Sequence, residues 1–456
     1  MAMPETDSSV PKLFGTDGVR GTAGQYPLDH ATVRRIGAAL VRALPPSARP
    51  PRILIGRDTR ESGPWIEGDL AESASGEGAS VVRVGVVPTP AVAYLTQLNG
   101  FDLGVVVSAS HNPFEDNGIK VFSGSGEKFT EEVERVVESI VADASWRPTH
   151  GGGGESAGPS LVDAYTAHLR DVFPEIGLLE GTRLVIDCAN GATTPIAGQL
   201  FQTLGLDATV IGNAPDGRNI NLGCGSTHPE RLSETVVRTG ARMGVAFDGD
   251  GDRAIFVDEL GRVVNGDAVM LMCSRQLRQE GRLRGNAVVA TVMSNVGLEL
   301  ALAELGIALV RCPVGDRYVM NEMLARRLSL GGEQSGHIIF SDHLFTGDGL
   351  CTALNVLRTV ALSRRSLAEL ATDLVSYPQV LLNVRVREKV DTERLPAVDA
   401  VINQVRSRVV GQGRLLVRYS GTEPLLRVMI EGKDEGEIRA WAQEIADVVQ
   451  REIGVR

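Results

Sequence analysis

The strongest constraint in this sequence is a grammar used three times. A β-rich run is followed by a helix-like segment and then by a second β-rich run about 20 to 30 residues further on, the pattern of a βαβ unit. Ile53–Gly56 (ILIG) leads to Val81–Gly85 (VVRVG), and Leu184–Asp187 (LVID) leads through PIAGQLFQTLG to Ala208–Gly212 (ATVIG). Ala287–Val292 (AVVATV) leads through GLELALAELG to Ala308–Cys312 (ALVRC). Such alternation predicts strands paired in parallel and covered by helices. The tail breaks the pattern: VLLNVRV, GRLLVRYS and LLRVMIEG read as strands, and a helix follows with Ile438, Trp441, Ile445 and Val448 on one face. The expected fold class is therefore α/β, with three related α/β mixed-sheet domains and a smaller C-terminal α+β domain.

Composition narrows the function classes. The 456 residues carry 46 Lys plus Arg against 57 Asp plus Glu, a net charge of −11, and 43% are hydrophobic. At roughly 150 residues per domain, two to four domains are expected. The acidic balance argues against nucleic-acid or membrane partners but leaves room for a local basic pocket that takes a small anion. Five cysteines (Cys188, Cys224, Cys273, Cys312 and Cys351), scattered and never in C-x-x-C spacing, suggest core thiols rather than disulfides or zinc. The opening MAMPETDSSV lacks the cationic and apolar parts of a signal peptide, and no apolar run is long enough to span a bilayer, so a cytoplasmic protein is expected.

Between Thr130 and Ala142, Val133, Val136, Val137, Ile140 and Val141 fall at helical spacing, with Glu131 and Glu132 in the first turn. The stretch THGGGGESAGPS (Thr149 to Ser160) has no periodicity and reads as a flexible connection near a domain boundary.

The sharpest chemical feature is FDGDGDR, where Asp248, Asp250 and Asp252 alternate with Gly249 and Gly251. In an extended segment residues two apart point the same way, so three carboxylates can converge while the glycines let the loop bend tightly, and such a cluster needs a cation. Oxygen-only ligands favour Mg²⁺, Mn²⁺ or Ca²⁺. An EF-hand fails, because Arg253 stands where its loop requires glycine and AIFVDELGRVV reads as a hairpin.

The second feature is VVVSASHNPFEDNGIK, in which a strand ends in Ser108–Pro113. Polar loops at the carboxyl ends of strands in open α/β sheets are where ligands sit, although self-bonding Ser and Asn turns look the same. A serine-hydrolase elbow G-x-S-x-G is missing around Ser110. A serine phosphate beside three carboxylates and one divalent ion makes a phosphoryl-transfer centre. The third is GGEQSGH, where Glu333 and Ser335 can face the same way towards sugar hydroxyls; alone it reads as a plain loop. The fourth is VRYSGTEPLLR, where Arg418, Ser420, Gly421, Thr422 and Arg427 form a phosphate cradle or a hairpin with surface arginines. Walker A and G-x-G-x-x-G sequences are missing, which weakens nucleotide-fold readings.

In this order the four loops resemble the α-D-phosphohexomutase superfamily over nearly the whole chain. The resemblance implies four domains around a central cleft: 1–160 bearing a phosphoserine, 161–259 holding metal, 260–376 recognising sugar, and 377–456 binding phosphate. It implies that Ser110 is the phosphoserine, and that Asp248, Asp250 and Asp252 hold one Mg²⁺ together with an oxygen on Ser110. Arg20, His111 and Lys120 match catalytic positions, with Lys120 and His111 both open as the proton carrier. Arg253, Glu333, Ser335 and His337 match substrate-binding positions, as do Arg418, Ser420, Gly421, Thr422 and Arg427. LFGTDGVRG, PDGRNINLGCGSTHPE and VGDRYV point within the superfamily to members that interconvert glucosamine 6-phosphate and glucosamine 1-phosphate, a step towards UDP-N-acetylglucosamine and cell-wall precursors. A hexose bisphosphate would prime the serine. The expected partners are a small sugar phosphate and a second copy of the chain in a homodimer, with no nucleic acid and no membrane. The alternatives are a phosphoglucomutase or phosphomannomutase of the same mechanism, a non-catalytic sugar-phosphate binder, and a metal-dependent phosphatase.

Overall fold

The computed structural model describes residues 12–15, 17–158, 160–411, 413–420 and 423–455. The chain divides into two compact units, residues 1–293 with 307–373 and residues 294–306 with 374–456.

The first unit contains three sheets. In the seven-stranded sheet, Arg52–Arg57 lies between Leu103–Val107 and Ser80–Val86, parallel to both, while Asp116–Ser123 runs antiparallel to Leu103–Val107. In the five-stranded sheet, Arg183–Asp187 pairs in parallel with Asp207–Ile211 and Met243–Phe247, and Ala254–Asp258 returns antiparallel to the latter. In the four-stranded sheet, Ala287–Thr291 pairs in parallel with Ala308–Cys312. All three expected βαβ pairs are thus parallel. Leu103–Val107 and Met243–Phe247 are buried along their whole length, as strands covered on both faces must be.

The helix expected from the valine spacing spans Glu131–Ala142, with Thr130 as its N-cap. Val137 is fully buried, and Val133, Ile140 and Val141 pack against the same core. Val136 is 45% exposed, because it falls at the edge of that stripe.

The Gly-rich stretch departs from expectation. Glu155–Ser156 forms a short parallel edge strand beside Val82 and Arg83, and the Gly151 amide donates to the Glu72 carbonyl at 3.1 Å. A Cβ on Gly76 would come 2.2 Å from the Thr149 carbonyl oxygen, so the segment lies flat against the domain. Main-chain pairing at a sheet edge needs no side-chain periodicity, which is why hydropathy missed it.

The second unit has a three-stranded antiparallel sheet, with Leu425–Gly432 between Gln379–Arg385 and Gly413–Tyr419. The tail helix, Glu435–Ile453, buries Ile438 and Ile445 in the core. A further helix, Pro396–Val409, buries Val398, Val401, Ile402, Val405 and Val409 and was not foreseen. All five cysteines are free and buried. Among the described residues no helix is long and apolar enough to cross a membrane.

Candidate active site

The fully buried strand Leu103–Val107 ends in the loop that carries Ser110. The Ser110 backbone has φ 52°, a left-handed conformation for a non-glycine residue. Its side chain is turned to the second sheet, where Oγ donates to Asp248 Oδ2 at 2.5 Å and lies 3.3 Å from His111 Nδ1.

Asp248, Asp250 and Asp252 lie in the loop of the hairpin formed by Met243–Phe247 and Ala254–Asp258. Their oxygens come within 4.8 Å of one another, and all three residues are buried. The glycines give the tight bend expected of them: the Gly251 amide donates to the Asp248 carbonyl at 3.0 Å, and Gly251 has φ 71°. Gly249 is required by contact, because a Cβ there would sit 2.5 Å from the Ser110 carbonyl oxygen.

Lys120, on Asp116–Ser123, faces this trio. Its Nζ donates to Asp250 Oδ2 at 2.8 Å and Asp252 Oδ2 at 3.0 Å. Burial opposes the Lys120 charge, but Asp17, Asp250 and Asp252 outweigh it and hold the ammonium well above the ordinary lysine range. Burial also drives Asp248 well above the carboxylate range, reinforced by repulsion from Asp252 and Asp250. For Asp252 burial acts the same way, yet Lys120 and His337 outweigh it and leave the group well below that range.

The trio fits a hard divalent cation. Its donors are all oxygens, and the buried Asp250 Oδ1 accepts no hydrogen bond among the described residues. Such an orphaned carboxylate oxygen costs stability unless a cation or water takes it.

Above the trio is a cavity of about 300 Å³. Asp17, Arg20 and His111 line it from the first sheet, Asp252 and Arg253 from the second, and Gly315, Asp316, Glu333 and His337 from the third. Arg253 donates from Nη1 to His111 Nδ1 at 3.2 Å, and its backbone amide donates to Asp248 Oδ1 at 3.1 Å. Partial burial, helped by the Arg253 guanidinium, lowers the His111 pKa. The Gly315 amide donates to Glu333 Oε1 at 3.2 Å. His337 Nε2 accepts from the Gly347 amide at 3.1 Å, which leaves Nδ1 turned to Asp252 Oδ1 at 3.6 Å.

Four residues here escaped the sequence reading. Asp17 pairs with Arg20, with Lys128 at 2.6 Å and with Lys120 at 3.3 Å, and Lys128 pairs again with Asp316. Thr89 Oγ1 donates to Asp250 Oδ2 at 2.6 Å. Asp17 lies inside GTDG beside Arg20, the one signal that pointed to it.

One expected substrate-binding residue of the first unit stands outside this lining. Ser335 is exposed and does not line the cavity. Arg418, Ser420 and Arg427 belong to the second unit. There Arg418 and Arg427 are direct cross-strand partners, and Arg427 Nη2 lies 3.4 Å from Ser420 Oγ. Burial lowers the Arg418 pKa, and the Arg427 charge adds to it. Like charges placed opposite each other are unfavourable without an anion nearby, and here Arg427 Nη2 also lies 3.4 Å from Glu423 Oε2. Gly421 and Thr422 lie outside the described residues.

Comparison with known proteins accounts for this architecture. The phosphoglucomutase/phosphomannomutase family models match along the chain: alpha/beta/alpha domain I at residues 11–148, domain II at 163–261, domain III at 265–377, and the C-terminal domain at 381–448. The chain belongs to the phosphoglucomutase/phosphomannomutase family. Among curated relatives it is 49% identical to the phosphoglucosamine mutase of Solibacter usitatus over 447 residues, covering 97% of this chain and 99% of that one. Its fold is shared by a crystal structure of a phosphoglucomutase/phosphomannomutase family protein from Burkholderia thailandensis (TM-score 0.78, 24% identity, 97% and 99% coverage). It is also shared by the Aspergillus fumigatus N-acetylphosphoglucosamine mutase in complex with GlcNAc-6P and magnesium (TM-score 0.65, 19% identity, 96% and 95% coverage).

Proposed function

We propose that this chain is a phosphoglucosamine mutase, an isomerase that interconverts glucosamine 6-phosphate and glucosamine 1-phosphate through a phosphoserine at Ser110. The observation that carries the reading is the hydrogen bond from Ser110 Oγ to Asp248, which sets a nucleophile-sized oxygen against a buried carboxylate trio beneath a cavity. The 49% identity to a phosphoglucosamine mutase over nearly both full lengths supports the choice of sugar. The four family matches support a division into the domains 1–160, 161–259, 260–376 and 377–456.

In the forward half-reaction the bond between phosphorus and Ser110 Oγ breaks, and a new bond forms to the free hydroxyl of the sugar phosphate. The hydroxyl proton passes to His111, whose lowered pKa favours the free base, or to Lys120 in its neutral form, and Ser110 Oγ regains a proton. The resulting bisphosphate turns round, and its other phosphate returns to Ser110, so the enzyme ends as it began. Mg²⁺, bound by Asp248, Asp250, Asp252 and an oxygen on Ser110, would offset the negative charge of the transferring group. A hexose bisphosphate primes the serine. Arg20 and Arg253 orient the group in transfer, Glu333, Ser335 and His337 read the sugar, and Arg418, Ser420, Gly421, Thr422 and Arg427 hold the distal phosphate.

The test is a mutase assay on purified protein with Mg²⁺ and a hexose bisphosphate primer, with glucosamine, glucose and mannose phosphates in competition. The highest kcat/KM is expected on the glucosamine phosphates. A preference for glucose or mannose phosphate overturns the sugar assignment. Sustained phosphate release without isomer points to a phosphatase.

A further inference from the structure

Phosphoryl transfer through Ser110 needs its Oγ in one place, yet the residue sits in a backbone conformation that serine seldom adopts. Such a conformation persists only when its surroundings over-determine it. Here a buried ion pair does so. Arg60 and Asp58 are both fully buried, with Nε 2.8 Å from Oδ2.

The other donors of Arg60 go to main-chain carbonyls of the serine loop. Nη2 donates to Ser110 at 3.0 Å and Asn112 at 2.8 Å, and Nη1 to Asp116 at 2.9 Å and to Pro113. Asp58 Oδ2 accepts from Ser108 Oγ at 2.6 Å, and that hydroxyl oxygen accepts the Ser110 amide at 3.0 Å. Both main-chain polar groups of Ser110 are thus tied to one ion pair. From the second sheet's loops, Asn221 Nδ2 donates to the same Ser110 and Asn112 carbonyls, at 2.9 and 3.2 Å.

A buried ion pair is a poor source of stability, since packed apolar residues often do as well. A planar five-donor fork serving one loop is something that neither an apolar residue nor lysine reproduces. Being fully buried, Arg60 cannot touch substrate. We propose that Arg60, oriented by Asp58 and Ser108, is a positioning residue that fixes the Ser110 loop for phosphoryl transfer. The inference rests on the mutase reading of Ser110.

The test uses the full chain and the variants Arg60→Lys and Ser108→Ala, with Val137→Ala, a buried change in the same domain, as a control for destabilisation. Readouts are melting temperature, kcat and KM on glucosamine 6-phosphate, and the rate at which a hexose bisphosphate phosphorylates Ser110, followed by intact mass. Misplacing a reacting group by about 1 Å costs on the order of 100-fold. The expected result for R60K is a fall of about 100-fold in kcat and in the phosphorylation rate, and for S108A about tenfold, each with KM within about threefold of wild type. Val137→Ala should melt lower and keep its kcat.

A folded R60K with kcat near wild type overturns the proposal, as does a loss that merely tracks melting temperature across all three variants. Should R60K fail to fold, S108A decides, and an unchanged kcat there overturns it. A wild type that neither isomerises the sugar nor takes phosphate on Ser110 refutes the mutase reading itself, a separate failure.

Discussion

Lys120 Nζ lies 2.8 Å from Asp250 Oδ2, a contact between residues 130 positions apart that sets a buried ammonium against the carboxylate trio. An ammonium there competes with any cation for the same oxygens. Lys120→Met is expected to bind Mg²⁺ more tightly than wild type by calorimetry, because one positive charge has left the site. It should also lose about 10²- to 10⁴-fold in kcat if Lys120 carries the proton. Unchanged Mg²⁺ affinity would contradict the competition, and retained turnover would pass the proton role to His111.

On the proposed function, the cross-strand neighbours Arg418 and Arg427 of the second unit would hold phosphate, a role readable without catalysis. Inorganic phosphate at millimolar concentration should raise the melting temperature of wild type. Arg427→Ala should abolish that rise and increase KM for the sugar phosphate by about tenfold or more, the cost of a charge-assisted contact. A variant that is stabilised by phosphate as wild type is would remove Arg427 from the cradle.

Asp348 makes a pH prediction of its own. Burial pushes its carboxyl up to about 6, although it accepts from the Cys351 amide and the Tyr165 hydroxyl. The folded pKa exceeds the unfolded one, so this group's contribution is fully present below about pH 4 and is lost as pH rises through about 6, roughly 3 kcal/mol in all. Asp348→Asn retains an acceptor for the Cys351 amide and has no such titration. Urea denaturation should show the variant gaining on wild type between pH 4 and 7, by an amount of that order. A difference that does not change with pH would contradict the assignment.

The cysteines should be silent in the native protein. Burial pushes Cys188, Cys273 and Cys312 up to about 12 and Cys224 to about 11, and holds Cys351 well above its ordinary value. Since the thiolate is the reactive form, a thiol reagent at pH 8 should label almost nothing until denaturant is added, and then all five residues. Fast labelling of any one in the folded state would contradict its burial.

Much of this architecture was legible because it is written in local patterns. The three βαβ pairs follow from alternation, and FDGDGDR and SASHNP follow from residue types that have few other reasons to cluster. What escaped is long-range or main-chain. Thr89 and Asp250 meet across 161 positions, and Lys128 and Asp316 across 188. The strand Glu155–Ser156 forms through backbone pairing that the Gly-rich sequence does not signal. The tight bend that the glycines of FDGDGDR allow is the Gly251 turn, and the aspartates converge through it. Ser335, two residues from Glu333, is exposed and outside the cavity lining, a placement that spacing alone does not give.

The most direct test of the covalent route is a chase followed by intact mass. Wild type is incubated with a hexose bisphosphate and Mg²⁺, freed of small molecules, and then given glucosamine 6-phosphate. With a hexose bisphosphate whose phosphates carry ¹⁸O, one heavy phosphate on Ser110 should appear in the first step and be exchanged for an unlabelled one in the second as the label passes to the sugar phosphate, and Ser110→Ala should show neither step and no turnover. A Ser110→Ala variant that isomerises the sugar at a rate near wild type would contradict the account.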